Sequence, residues 1–205
     1  MSQVIHARFV EIAREISGEL ANAIANSPPL QLTPNQDFPF PERLCRAVAG
    51  QQLSVKAAAS IWGRVVDSAV DQPLMDYFAT VSPDTLRGCG LSTAKARTMR
   101  AIALAARSKQ LDKTLLSELD HDDRTQYLTE IWGVGQWTAD MMGIFYFGDP
   151  DIWPDGDTTA RKNLERLTSR RRKTTRTAAN FAPYRSYLAL YMWHQADASI
   201  DAPIA

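Results

Sequence analysis

Long hydrophobic runs are missing from this 205-residue chain: no stretch is continuously apolar over the roughly 20 residues needed to cross a bilayer. The amino terminus, MSQVIHARFVEIAREI, lacks the apolar centre and cleavage site of a secretory leader. Cysteine is scarce. Cys45 and Cys89 make neither a disulfide framework nor a metal-ligand spacing, and the expectation is a cytosolic protein without a membrane partner. Strand-like alternation is also short of what a β-domain needs. An excess of one charge is absent, since 23 basic residues face 23 acidic ones. That balance argues against a non-specific nucleic-acid coat, which would be strongly basic.

The balance hides a dipole. From Arg161 to Arg185 nine basic residues (Arg161, Lys162, Arg166, Arg170, Arg171, Arg172, Lys173, Arg176 and Arg185) accompany only Glu165. Acidic residues gather instead between Asp112 and Glu130. One face can therefore meet a phosphate backbone, although a solvated loop explains Arg170 to Arg176 equally well.

Helical periodicity dominates the rest. Val4, Phe9, Ile12, Ile16, Leu20 and Ile24 outline one helical face over residues 3–26. Prolines from Pro28 to Pro41 then impose a connection in which Phe38 and Phe40 plug the core or line a pocket. Pro41 and Glu42 read as a helix start, and Ser54 as the cap of the next helix. Between them lies a tight Gly50-Gln51-Gln52-Leu53-Ser54 turn with two glutamines. Residues 74–106 read as two helices, the second capped by Ser92 or Thr93 and carrying Lys95, Arg97 and Arg100. A short helix or turn follows at residues 111–119, and residues 122–131 form another helix.

The most informative stretch is LTEIWGVGQWTADMMGIFYFGDPDIWPDGD, Leu128 to Asp157. A helix breaks at Gly133-Val134-Gly135 and restarts at Gln136. Two residues without a Cβ allow a sharp turn and a close approach, and the restarted helix offers amide groups that attract a phosphate. Some twenty residues on, Trp153-Pro154-Asp155-Gly156-Asp157 places a carboxylate just before the helical run TTARKNLERL. Asp151, Asp155 and Asp157 compete for any role in catalysis, and Asp157 also suits a helix N-cap. The terminal run FAPYRSYLALYMWHQ reads as a helix, with a frayed tail from Asp197.

The hairpin, the loop ending at Asp157 and the Pro-Tyr-Arg-Ser element resemble the helix-hairpin-helix DNA glycosylases, in particular the 3-methyladenine DNA glycosylase II branch. The resemblance covers most of the chain. It implies an all-α fold of two helical lobes, about residues 1–57 with 151–205 and about 58–150, with the active cleft between them. It selects Asp157 as the catalytic carboxylate. An oxocarbenium-like sugar would be stabilised by this group, which also orients the attacking water. Gln52, with Leu53 beside it, would be the wedge that fills the gap left by an extruded base, and Gln51 either helps or only caps a helix.

Gly133, Gly135, Gln136 and Thr138 would grip a phosphate, with Thr93, Lys95 and Arg185 as further DNA contacts. For Thr93 and Lys95 the alternative is capping and solubility; for Arg185 it is pinning the Asp157 loop or a surface ion pair. Main-chain carbonyls of Thr129, Ile131 and Val134 would hold a monovalent cation, Na⁺ or K⁺, with no other cofactor. Relatives with an iron–sulfur cluster need four cysteines, so a cluster is not expected here.

Strand-cutting relatives carry a lysine where this chain has Trp137, which implies hydrolysis without lyase chemistry. Trp137 and Met141 would wall a pocket for a cationic alkylated base, or else pack in the core with Met142, Phe145 and Phe147. The implied function is excision of alkylated bases from double-stranded DNA by a monomer. A glycosylase for deaminated or oxidised bases is one alternative, and a non-catalytic DNA-binding helix-hairpin-helix module is the other.

Overall fold

The computed structural model describes residues 1–195; the tail expected from Asp197 lies outside the described residues. Among the described residues all regular structure is helical. The helices are α1 Gln3–Ile16, α2 Gly18–Ala25, α3 Phe40–Gly50, α4 Val55–Ser68, α5 Leu74–Thr80, α6 Pro83–Gly88 and α7 Thr93–Arg107. They continue with α8 Lys113–Glu118, α9 His121–Thr129, α10 Gln136–Met142, α11 Thr158–Leu167, α12 Thr174–Ala178 and α13 Arg185–His194. A π-helical turn, Gly143–Phe147, follows α10 directly. None of these helices is long and apolar enough to cross a membrane.

Among the described residues the helices form two compact units, one of residues 1–34 with 143–195, the other of residues 35–142. The boundaries expected near 57 and 150 therefore move to 34 and 142. The reason is α3, which packs on α4, α7 and α10. Its apolar face, with Leu44, Ala47 and Val48 all at 1% exposure or less, belongs to the core of the second unit.

In the first unit the expected helix over residues 3–26 is two helices, broken at Ser17. That residue is extended (φ −163°, ψ 134°), and its Oγ accepts the Glu19 amide at 3.2 Å. The hydroxyl also donates to the Leu167 carbonyl at 2.7 Å, tying the break to the end of α11. Serine competes with the helix ladder for backbone partners, so it ends one helix and caps the next. Around this joint Phe9 packs on Phe181 (centroids 4.9 Å apart) and Tyr191 (6.0 Å). Removing such a buried ring costs about 3–5 kcal/mol.

In the second unit Phe78, Met99, Ile102, Leu116 and Leu128 are fully buried. Ser54, Ser82, Ser92, Asp112 and Asp120 each cap a helix start through a side-chain oxygen. Ser92 rather than Thr93 is the cap of α7, its Oγ accepting the Lys95 amide at 3.2 Å. Two helices were expected over residues 74–106, and three are present because Ser82-Pro83 restarts the chain as α6. Phe40 is buried, whereas Phe38 is exposed.

Candidate active site

The hairpin is built by α9, the turn 130–135 and α10. In the turn the Ile131 amide donates to Leu128 O at 3.1 Å, and Val134 N donates to Ile131 O at 3.0 Å. The ladder of α10 begins with Ala139 N on Gly135 O at 3.1 Å, so the amides just before it have no acceptor within the helix. The two glycines have different reasons to be there. Gly133 has φ +83°, and a Cβ on it would collide with Thr98 Oγ1 of α7. Gly135 has ordinary backbone geometry, and a Cβ there would meet nothing within 4 Å. The protein's own packing thus requires Gly133, while Gly135 leaves open space in front of the helix start.

Side chains around the hairpin are held in place. Gln136 Nε2 donates to Asp140 Oδ1 at 2.7 Å, and His121 Nε2 lies 3.0 Å from the same oxygen. Asp140 is buried, and these local partners supply the hydrogen bonds that a buried carboxyl group requires. Trp132 is 42% exposed beside Gly133, with the Arg97 guanidinium stacked 3.9 Å above its ring. This cation–π pair is invisible in the sequence, because residues 35 positions apart give no local signal of their contact.

Two expectations for the hairpin are corrected. Met141 is fully buried in the core and has no surface to offer a base. Thr138 is also buried, and its hydroxyl receives Gln51 Nε2 at 2.9 Å instead of facing a phosphate. Their place on the inner face of α10 decides both. Trp137, one residue away, is half-buried.

The same bond organises the turn after α3. Gln51 caps α3, and its side chain anchors the turn to α10 through Thr138. Lys95 likewise does not reach outward: Nζ donates to Ala49 O at 2.9 Å and Gln51 O at 2.8 Å. Partial burial lowers its pKa, and the two carbonyls give the ammonium the partners that such burial requires. The expected phosphate contact at Lys95 is therefore replaced by a clamp on the end of α3. Between these anchors Gln52 is exposed at φ +59° and Leu53 is 40% exposed. A non-glycine residue in the left-handed region is strained. Here the strain presents the two proposed wedge residues on an anchored turn. Thr93, the first residue of α7, is exposed.

In the first unit the three competing carboxylates separate cleanly. Asp151 is engaged by Arg185: Nε to Oδ1 at 2.7 Å, Nη2 to Oδ2 at 3.0 Å, and the Arg185 amide to Oδ1 at 3.1 Å. Asp155 Oδ1 receives Thr174 Oγ1 at 2.6 Å and Trp153 Nε1 at 3.2 Å. Asp157 is the N-cap of α11, its Oδ1 accepting the Ala160 amide at 2.8 Å and Trp193 Nε1 at 2.9 Å. Ser186 completes the frame, its Oγ donating to Asp149 O at 2.6 Å and accepting the Ile152 amide at 2.9 Å.

Arg185 and Ser186 at the start of α13 thus pin the loop leading to Asp157, as the alternative reading of Arg185 has it, and the Arg185 side chain stays 38% exposed. Trp193 is the functional neighbour that sequence missed. Its place on an apolar helix reads as core, and only the packing of α13 on α11 aims its N–H at the carboxylate.

An anchored carboxylate at a helix start and a glycine hairpin with an open helix terminus are the features that separate this fold from a generic helical bundle. Residues 45–182 match the family model described as HhH-GPD superfamily base excision DNA repair protein. The chain belongs to that superfamily. It is 27% identical over 190 residues to the alkylbase DNA glycosidase-like protein mag2 of Schizosaccharomyces pombe, covering 87% of this chain and 88% of the relative. The same organism's DNA-3-methyladenine glycosylase 1 is 31% identical over 160 residues, covering 74% and 70%. Among solved structures, S. pombe 3-methyladenine DNA glycosylase Mag1 in complex with abasic DNA superposes with a TM-score of 0.74 at 26% identity, covering 91% of this chain and 96% of that one. A DNA-3-methyladenine glycosidase from Bacillus halodurans gives 0.74 at 28% identity, covering 93% and 88%.

Proposed function

We propose that this chain is a monofunctional DNA glycosylase that extrudes alkylated bases, 3-methyladenine first, from double-stranded DNA and hydrolyses their N-glycosidic bond. The observation that carries the reading is Asp157. A buried carboxylate whose Oδ1 is held by two N–H donors can face a developing positive charge on deoxyribose without reorganising as the bond breaks. An alkylated purine already carries positive charge and departs as a neutral base. The carboxylate stabilises the sugar cation and orients the water that adds to C1′, taking up its proton. Trp137 stands where a lyase would need an amine, so water is the nucleophile.

DNA is held by backbone amides at the hairpin. Gly135 gives a phosphate room to approach, and Gln52 with Leu53 fills the vacated stack. Main-chain carbonyls of Thr129, Ile131 and Val134 belong to the same reading as holders of a monovalent cation. Ile131 O already accepts the Val134 amide, but a carbonyl oxygen has a second lone pair for such an ion. The working form is a monomer on DNA.

The test is release of free base and formation of abasic sites from a duplex containing 3-methyladenine, with Asp157→Asn beside the wild type. Release by the wild type without strand cutting, lost in the variant while duplex binding is retained, is the expected result. Full activity of Asp157→Asn removes the catalytic assignment.

A further inference from the structure

Among the described residues outside the hairpin and the Asp157 loop, five cations lie close together in the connection from α11 into α12. Arg170, Arg171, Arg172, Lys173 and Arg176 all reach solvent, and none forms an ion pair among the described residues. The backbone beneath them is ordered by its own bonds. Arg172 N donates to Ser169 O at 3.1 Å and Arg171 N to Ser169 Oγ at 3.2 Å, while Thr174 and Thr177 are buried under the cations. Five like charges on neighbouring residues oppose one another. The repulsion is relieved when a polyanion binds.

The cluster lines two adjoining concavities of about 560 and 470 Å³, which share Arg171, Arg172 and Lys173. The larger adds Arg176 and also Asn180, whose Nδ2 is taken by the Arg176 and Thr177 carbonyls at 3.1 and 3.0 Å, so the cations supply its free donors. The smaller includes Asp155 and Glu165, leaving cations in the majority there. Asp155 is already occupied by Thr174 and Trp153. That Thr174–Asp155 bond is the decisive contact. It joins the residue after Lys173 to the loop that ends two residues later in Asp157, so the basic surface is built onto the catalytic loop within one unit. An acidic peptide would meet the same charges. A ligand whose sugar must reach Asp157 brings phosphates with it, and arginine forks match phosphate oxygens in pairs.

We propose that Arg171, Arg172, Lys173 and Arg176 form a second phosphate-binding surface for duplex DNA, separate from the hairpin, which holds the backbone against the Asp157 loop. The proposal rests on the glycosylase reading for its choice of DNA, and its test does not depend on catalysis. Binding of the full chain to an undamaged duplex is measured over a salt series for the wild type, for Arg171→Ala/Arg172→Ala/Lys173→Ala, and for Arg171→Lys/Arg172→Lys.

Removing one phosphate-bound cation reduces the slope of log K against log salt by about 0.9, so the alanine variant should show a slope smaller by about 2–3 and at least tenfold weaker low-salt affinity. The lysine variant keeps the charge and should keep the wild-type slope. An alanine variant with wild-type slope and affinity overturns the proposal. So does a lysine variant whose slope falls as far as the alanine one's, since charge would then not be responsible. Base release by the wild type, scored separately on a methylated duplex, tells a failed glycosylase reading from a failed surface.

Discussion

Replacing Trp193 by phenylalanine removes one hydrogen-bond donor from Asp157 while leaving an aromatic ring on α13. Trp193 Nε1 lies 2.9 Å from Asp157 Oδ1, and the indole packs on Phe145 with centroids 5.5 Å apart. A hydrogen bond to a charged group contributes about 1.5–3 kcal/mol. Oδ1 keeps the Ala160 amide at 2.8 Å, so the carboxylate is not stripped of partners and the low end of that range applies. About 1.5 kcal/mol in the transition state is about tenfold in rate. The missing bond and the gap left by the smaller ring together lower stability by about 2–3 kcal/mol. That is a fall of about 5–10 °C in Tm for a chain of this size. The assay is single-turnover base release at saturating enzyme, with duplex affinity measured in parallel. A tenfold slower release at unchanged affinity is expected. A folded variant with the wild-type rate constant refutes the view that the indole N–H positions the carboxylate.

The two hairpin glycines should separate folding from binding. Gly133→Ala meets both a positive φ and Thr98, and should cost about 1–3 kcal/mol of stability. Gly135→Ala has room in the protein, so its Tm should stay near wild type while duplex affinity falls, read by thermal melting and anisotropy. Equal melting losses at both positions would contradict this division. High pH probes the first unit through Tyr191, whose hydroxyl lies 2.6 Å from His6 Nδ1. Burial raises its pKa to about 12. The unfolded tyrosine ionises near 10 and the folded one later, so the stabilisation is complete below pH 10 and is lost as pH rises towards 12. Chemical denaturation across that interval should show stability declining, and Tyr191→Phe should decline less steeply. An identical decline in both proteins would place the effect elsewhere.

Much of this protein is determined by local pattern. The apolar spacing in α1 and α2, the Ser54 cap and the Gly-Val-Gly break depend on neighbours within a few residues, which is why they can be read along the chain, whereas the caps at Ser17 and Ser82 give no comparable signal. Asp157 can be read locally as a helix cap, but the residues alone leave it level with Asp151 and Asp155, and the family resemblance is what selects it. Tertiary structure decided which neighbours each polar group would meet. Lys95 and Thr138 look like surface residues in sequence, but the helices bring Lys95 to the open carbonyls of α3 and Thr138 to Gln51. Arg185 meets Asp151 from 34 residues away, and Trp193 meets Asp157 from 36. Desolvation makes every buried polar atom require a partner, and only the packed fold decides which distant residue supplies it.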